Sequence, residues 1–295
     1  MQNPQQISVR EIATEFYKHR WFIFIFTITT SLLALVTSLV LPKHYSATAL
    51  VSPVSRSASG GASGAVGSAL SKFGGIASLV GLQTGSGSDK AIDIATLKSQ
   101  VLTRRYIQKY NLMPILYKGK WNSKTNSWRG NNQARIPTLW QANKYFQKHI
   151  RTVTEDRKTG LYDVTITWTD PVTAAKWANG IVELTNHYLR RKAIAEANRD
   201  IAYLNAQAAM TSVVQVKEAI YNLMEQEIRD AMIANGQREY ALKVVDPAFP
   251  PDRPSWPLPW LWTLIGFLIG ALLSIGIVAF RIGWSEPDHR EVSKI

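Results

Sequence analysis

The stretch WFIFIFTITTSLLALVTSLVL, from Trp21 to Leu41, holds 21 residues without a charged side chain. A second uncharged stretch, LPWLWTLIGFLIGALLSIGIVAF, runs from Leu258 to Phe280. At about 1.5 Å of rise per residue, a helix over either stretch crosses a hydrocarbon layer of roughly 30 Å. A buried helix of a soluble domain would rarely lack a polar face over such a length. The sequence therefore predicts two transmembrane helices, at residues 21–41 and 258–280.

A cleaved signal peptide is the alternative for the first stretch, because Ala47 and Ala49 resemble a small-residue cleavage site. The apolar region of a signal peptide spans only about 7–15 residues, which is shorter than this stretch. A retained membrane anchor is therefore the favoured interpretation.

Basic residues beside the two stretches indicate the orientation. Lys18 and Arg20 precede the first and Arg281 follows the second, which favours cytoplasmic termini. Lys43 and Arg253 flank the opposite ends of the two stretches, so the difference in basic charge between the two sides is small. The prediction is a bacterial inner-membrane protein with its main domain in the periplasm. Its divisions are a cytoplasmic tail at 1–20, helices at 21–41 and 258–280, a periplasmic domain at 42–255, and a cytoplasmic tail at 281–295.

The net charge of +13 is concentrated between the two stretches, where 28 bases and 16 acids give +12. Such an excess suits an anionic lipid surface, an acidic polymer or a nucleic acid, or it is a solvated basic surface. The chain has no cysteine, which excludes disulfides, thiolate zinc sites and thiol nucleophiles.

Residues 42–255 mix strand and helix patterns. The alternating stretches HYSATALVS and YDVTITWT, at 44–52 and 162–169, predict strands, and YALKVVDPAF at 240–249 predicts a returning strand. Helices are predicted at 92–112 and around 139–149. A Gly/Ser/Ala-rich loop is expected at 55–88, and a polar surface loop between 121 and 135.

Asp170 and Pro171 form a strong helix start, with aspartate as the N-cap and proline in the first turn. The helical region is predicted to extend over 171–235. A narrow apolar stripe follows 3–4 spacing within it, at Ile194, Ala197, Ile201, Leu204, Ala208 and Thr211. The stripe suits a long helix packed against neighbouring subunits or a helix hairpin within one domain, and periodicity does not separate the two.

A proline-rich segment at 246–259 precedes the second apolar stretch. Proline fixes the backbone in an extended form and removes donors, so the segment is interpreted as a rigid strut, with a disordered linker as the alternative. Its prolines are Pro247, Pro250, Pro251, Pro254, Pro257 and Pro259.

Gly266 and Gly270 form a G-x-x-x-G pair in the second apolar stretch. Glycines four apart lie on one helix face and allow another backbone to approach closely. This face is the candidate site of transmembrane packing, and self-association is one use for it.

The sequence offers no pattern for catalysis. Its five histidines lack metal-ligand spacing, and it contains neither G-x-S-x-G nor a complete phosphate-binding loop. We therefore expect no catalytic residue, no metal and no cofactor. The fold class predicted is an α+β membrane protein, with two transmembrane helices flanking a periplasmic mixed α/β base domain that carries long protruding helices.

The order of several segments resembles the polysaccharide co-polymerase, or Wzz-type chain-length determinant, family over nearly the whole chain. The resemblance rests on the two terminal apolar stretches and on six segments between them. They are HYSATALVSP (44–53), GGIASLVGL (74–82), DKAIDIATLKSQ (89–100), EDRKTGLYDVTITWTDPVTAAKWANGIVELTNHYLR (155–190), DIAYLNAQ (200–207) and EYALKVVDPAFPPDRPSWP (239–257).

This resemblance implies a non-enzymatic regulator of the chain length of O-antigen, capsule or exopolysaccharide. Such proteins form homo-oligomeric rings beside a separate polymerase or export machinery, contact membrane lipids, and have a glycan or lipid-linked glycan as a candidate ligand; nucleic acid is not expected. One subclass adds a cytoplasmic tyrosine kinase, which the fifteen residues after Phe280 do not contain. Two alternatives are an export adaptor between an ABC-type transporter and an outer-membrane channel, and a membrane-anchored binder of acidic glycan.

Overall fold

The computed structural model describes residues 19–54, 87–129 and 136–284. Contacts divide the chain into two compact units, residues 1–44 with 253–295 and residues 45–252. Nearly all of the predicted Gly/Ser/Ala-rich loop, and most of both predicted tails, lie outside the described residues.

The described residues form eight α-helices and six strands. In chain order they are α1 (Arg20–Val40), β1 (Tyr45–Pro53), α2 (Gly87–Lys98), α3 (Gln100–Lys109), α4 (Met113–Leu116), β2 (Trp121–Asn122), β3 (Ser127–Trp128), α5 (Leu139–Tyr145), β4 (Arg151–Asp156), β5 (Leu161–Trp168), α6 (Pro171–Met210), α7 (Val214–Gly236), β6 (Leu242–Asp246) and α8 (Pro259–Trp284). A 3₁₀ turn (Lys118–Lys120) precedes β2, and a π-helical turn (Phe146–Ile150) joins α5 to β4.

The first unit is built on α1 and α8, which pack against each other. Both helices are long and apolar enough to cross a membrane by length and composition. Their outward side chains are large and apolar, with Trp21 67% and Leu272 71% exposed. Large apolar surfaces of this kind are rare on the outside of a soluble unit. The predicted apolar terminal helices are therefore confirmed as helices.

The second unit contains a four-stranded antiparallel sheet in the order β4-β5-β1-β6. Ala47 pairs with Ile166 and Ala49 with Val164 across the two central strands. These four side chains are at most 2% exposed, because α6 packs on this face of the sheet. The predicted combination of helices and sheet is thus confirmed.

Aromatic rings fill the space between α3, α5 and the first half of α6. The Phe146 ring lies 6.0 Å from those of Tyr106 and Trp177, measured between centroids. Tyr106 donates its hydroxyl to the Trp177 carbonyl oxygen at 3.4 Å. Burial raises the pKa of the Tyr106 phenol, with smaller contributions from Tyr110 and Glu183. Gly180 allows this packing, since a Cβ there would lie 2.8 Å from the phenolic oxygen.

The predicted single helix over 92–112 is wrong, because α2 and α3 are separate. Ser99 adopts an extended conformation and its hydroxyl accepts from the Leu102 backbone N–H, which starts α3. The buried Arg151 guanidinium donates to the carbonyl oxygens of Leu97 (2.7 Å) and Lys98 (2.8 Å), which end α2. Burial lowers the pKa of Arg151 to about 10.

Three further features differ from the sequence-based expectation. The predicted surface loop between 121 and 135 begins with a short hairpin, β2–β3, in which the Trp121 and Trp128 rings meet edge to face at 4.9 Å. Strand β4 was not predicted from the sequence. The helical region over 171–235 consists of two helices, because residues 211–213 are not helical. Thr211 is extended, and Val213 N–H donates to its hydroxyl, an alternative to helical bonding.

Candidate functional site

The glycine pair of α8 faces α1 of the same chain. A Cβ at Gly266 would lie 2.5 Å from Ala34 Cβ, and a Cβ at Gly270 would overlap the Thr30 hydroxyl oxygen. Gly266 and Gly270 continue at four-residue intervals into buried Ser274 and Val278. This row of mostly small residues allows close approach of the two backbones.

Most hydroxyl groups of α1 are bonded within the helix or across to α8. Thr27 and Thr30 donate to the carbonyl oxygens of Ile23 and Phe26, one turn earlier. Ser31 instead donates to the Thr263 carbonyl oxygen of α8 at 3.2 Å. These three side chains therefore have partners that do not require water, whereas the buried Ser38 hydroxyl has no hydrogen-bond partner among the described residues.

The ends of the two apolar helices meet at a backbone bridge. His44 N–H donates to the Trp256 carbonyl oxygen at 2.9 Å, and Ser255 N–H donates to the His44 carbonyl oxygen at 2.8 Å. The chain that leaves α1 and the chain that enters α8 are therefore neighbours. The two chain ends that connect to the segment 45–252 therefore lie close together.

Helix α6 starts at the residues selected from the sequence. Asp170 is the N-cap, its carboxylate accepts from Thr173 N–H at 2.7 Å, and Pro171 occupies the first turn. Hydrogen bonds from the side chain and the backbone of Thr173 lower the pKa of Asp170. The start places the first half of α6 on the sheet.

The apolar stripe of α6 lies in a hairpin with α7. Ala208 is buried, whereas Ile194, Ile201 and Leu204 are half-buried, and α7 packs along this part of α6. On α7, the less exposed residues recur at the same 3–4 spacing as the stripe. These are Lys217, Ile220, Met224, Glu227, Ala231 and Ala234, with Gln226 beside them. In the described chain α6 and α7 form a hairpin along this stripe, and contact of the stripe with neighbouring subunits stays a prediction.

Two asparagines of α6 bind the returning chain, and sequence analysis did not single them out. Asn186 Oδ1 accepts from the backbone N–H groups of Ala241 and Leu242, and its Nδ2 donates to the Leu242 carbonyl oxygen. Two turns earlier, Asn179 makes a reciprocal pair of bonds with the backbone of Ala248. The only sequence signal for this role was the presence of asparagine on a largely apolar helix face. A buried amide there requires hydrogen-bond partners.

The proline-rich segment extends across both units, since Pro247, Pro250 and Pro251 belong to the second and the later prolines to the first. Asn179 donates a hydrogen bond to the carbonyl oxygen of Ala248, which lies between Pro247 and Pro250. Pro257 is buried, and Pro259 begins α8. The rigid strut inferred from composition stays a prediction.

Within 19–54, 87–129 and 136–284, no group of three or more histidines and carboxylates could hold a metal ion. The described histidines lie in separate parts of the fold, at α1, the backbone bridge, the π-helical turn and α6. What the geometry provides is a close helix pair, a backbone bridge and a long hairpin, which suit anchoring and contact.

Residues 5–110 match the family model of the Wzz chain length determinant protein. This N-terminal part of the chain is therefore similar to the Wzz chain length determinant family. The matched Wzz segment includes α1, β1, α2 and α3 among the described elements. The resemblance stated from the sequence is thereby confirmed.

Solved structures similar to this chain include a full-length bacterial polysaccharide co-polymerase. It is 12% identical with a TM-score of 0.42, over 96% of this chain and 100% of that one. A fragment of WzzB, a polysaccharide co-polymerase from Salmonella Typhimurium, is 11% identical with a TM-score of 0.27, over 73% of this chain and 100% of that one. No curated protein sequence matches this chain.

Proposed function

We propose that this protein is a non-enzymatic, homo-oligomeric regulator of surface-polysaccharide chain length in the bacterial inner membrane. It would act beside a separate polymerase. The observation that carries this proposal is the Wzz match over residues 5–110 on a chain with an apolar helix at each end. Lys18 and Arg20 at the start of α1, and Arg281 near the end of α8, favour cytoplasmic termini and a periplasmic segment 42–255.

The packed helix pair supports this topology. Because α1 and α8 run antiparallel and the bridge at His44 and Trp256 joins their ends, the segment between them leaves and re-enters the bilayer at one point. A single-pass anchor followed by a soluble domain would not need such a bridge. The glycine face would hold the pair together, and the lipid-exposed faces would be available to the polymerase.

The α6–α7 hairpin supports a role in subunit contact. Its inner faces are occupied within the chain, but its outer surface retains exposed apolar side chains. The most exposed are Met210 (80%), Val214 (71%), Met232 (69%) and Tyr203 (64%). Contacts through such residues would bury apolar surface between neighbouring hairpins of a ring.

Deletion of the gene tests the function directly. The polysaccharide ladder should lose its preferred length while polymer synthesis continues. An unchanged length distribution would contradict regulation, and loss of all surface polymer with accumulation inside the cell would favour an export adaptor.

Topology is tested separately with a single cysteine, which is feasible because the native chain has none. A membrane-impermeant thiol reagent should label Thr125→Cys, in the exposed turn of the β2–β3 hairpin, in spheroplasts with intact inner membranes. Labelling only after the membrane is permeabilised would place this segment in the cytoplasm.

A further inference from the structure

An open cavity of about 630 Å³ lies between α3 and α6 in the second unit. Helix α3 contributes Arg105 and Lys109 to its wall. Helix α6 contributes the others, which recur at one-turn spacing and therefore share a helix face. The polar and aromatic lining residues are Arg105, Lys109, His187, Tyr188, Arg191 and Lys192.

The wall of this cavity is cationic and contains no carboxylate. Lys192 has an ion-pair partner in Glu196 at 3.7 Å. Among the residues that the structure describes, Arg105, Lys109 and Arg191 have no carboxylate within 4.0 Å. The Arg105 guanidinium lies over the Tyr188 ring, 4.6 Å from its centroid, which orients the planar group beside the cavity.

The His187 imidazole shares the cavity wall with these cations. Desolvation lowers the pKa of this imidazole first, and Arg191, Arg190 and Lys109 lower it further, against an opposing contribution from Glu183. Uncompensated cations around one cavity are stabilised when an anion binds among them.

A second open cavity, of about 830 Å³, adjoins the first and shares His187 with it. Its wall mixes cations with hydrogen-bond acceptors, including Arg190, Arg238, Glu183 and Glu239. The two cavities lie on different faces of α6 and meet at His187, and their α6 residues run from Asn179 to Lys192, which is about 20 Å along the helix axis at 1.5 Å per residue.

The length and composition of this surface decide the class of ligand. One phosphate group would occupy only the cationic end. A chain of linked sugars would fill both cavities, with hydroxyls bonded to the mixed polar wall and acidic groups beside the arginines. Guanidinium groups bind carboxylates with paired hydrogen bonds, which favours an acidic sugar at that end.

We infer that the basic groove, defined as the wall formed by Arg105, Lys109, His187, Tyr188, Arg191 and Lys192, binds an acidic polysaccharide. This inference rests on the proposed function for the presence of a polymer and adds its chemical class and its site. Binding is mainly electrostatic, so its affinity falls as the salt concentration rises.

The test uses the full-length protein in neutral detergent and a fluorescent oligogalacturonate as the acidic probe, with dextran of similar length as the neutral one. The variant Arg105→Gln with Arg191→Gln removes two charges from the groove, at two exposed side chains. The matched control is Arg157→Gln with Lys158→Gln, which removes two exposed charges from the turn between β4 and β5.

The groove variant should bind oligogalacturonate about tenfold more weakly, since a charged hydrogen bond contributes that much or more, while the control stays near wild type. Equal weakening in both variants would overturn the site, because any basic surface would then suffice. Equal affinity for dextran would overturn the acidic class. Undiminished oligogalacturonate binding, with loss only of binding to mixed micelles that contain phosphatidylglycerol, would identify a lipid surface instead.

Circular dichroism melting of both variants shows whether the fold is retained, and the exposed substitutions should leave it unchanged. The proposed function fails separately. If binding depended on the groove but deletion of the gene left polymer length unaltered, the binding site would stand. The proposed regulatory function would then be rejected.

Discussion

Gly270 of α8 lies directly against Thr30 of α1, so closely that a Cβ on the glycine would overlap the threonine hydroxyl. The threonine hydroxyl is itself turned back to its own helix, donating to Phe26 and Thr27 carbonyl oxygens. The glycine has no side chain, and the threonine hydroxyl is bonded within its own helix. The two helices can therefore come into close contact at this point.

The first prediction follows from this contact. Leucine at both Gly266 and Gly270 should separate α1 from α8, because neither side chain has room. A Ser31→Cys and Thr263→Cys pair placed across the contact should then cross-link several-fold less efficiently on oxidation. Length control should fall with it, while membrane insertion continues.

Gly276→Leu is the matched control, because nothing lies within 4 Å of the Cβ position at that glycine of the same helix. Cross-linking in this variant should equal that of the parent. If the double-leucine variant cross-links as well as the control, the glycine face is not where the helices meet.

The second prediction concerns Gly180 and Tyr106. The Gly180→Ala variant should be less stable by about 1–3 kcal/mol, because the added methyl enters a packed aromatic core. Replacing the obstructing group with Tyr106→Phe should restore part of the loss in the double variant. Thermal unfolding of the four proteins of this cycle measures the coupling.

Gly236→Ala serves as the control, since its Cβ position is open. A Gly180→Ala protein that melts at the wild-type temperature would show that α3 shifts without cost.

The third prediction concerns Asn186. Removal of its amide in Asn186→Ala leaves two backbone N–H groups and one carbonyl oxygen without their partner. Each unsatisfied buried group is costly, so we expect a loss of about 2–4 kcal/mol. Hydrogen exchange should accelerate in residues 241–244 more than elsewhere in the sheet.

Asn205→Ala, at an exposed position of the same helix, provides the comparison and should leave exchange unchanged. Uniform acceleration across the whole sheet in Asn186→Ala would instead indicate global destabilisation.

The fourth prediction concerns Glu227 on the inner row of α7. Burial raises the pKa of this carboxyl, and repulsion from Asp200 and Asp230 raises it further. Because the folded pKa lies above the unfolded one, this group favours folding most below pH 4.5 and loses that contribution as pH rises through the folded pKa. Glu227→Gln should therefore raise the melting temperature at pH 7, and the gain should vanish near pH 4.

Glu225→Gln is the opposite case two residues away. Its carboxylate pairs with Arg229 at 2.8 Å, so its loss should lower stability slightly at pH 7, by less than about 0.5 kcal/mol. Equal responses of the two variants at pH 7 would contradict the different environments assigned to these carboxylates.

Hydropathy and spacing alone determined the two apolar helices, the central strands and the start of α6 at Asp170, because each depends on neighbours in the sequence. The same local signals missed β4, which has only Val153 as an apolar residue and is held by pairing with β5. They also missed the break at Ser99, where a distant Arg151 binds the carbonyl groups that α2 leaves open.

The tertiary structure decided which surfaces meet. Periodicity gave α6 an apolar stripe, but only the turn at 211–213 brings α7 onto it. The glycine pair indicated a close contact, and only the fold identifies Thr30 and Ala34 as its neighbours. Arg105 and Arg191 are 86 positions apart in the sequence, so their common groove exists only once α3 packs on α6. Sequence encodes local preference, whereas a site shared by distant segments exists only after burial of apolar surface brings them together.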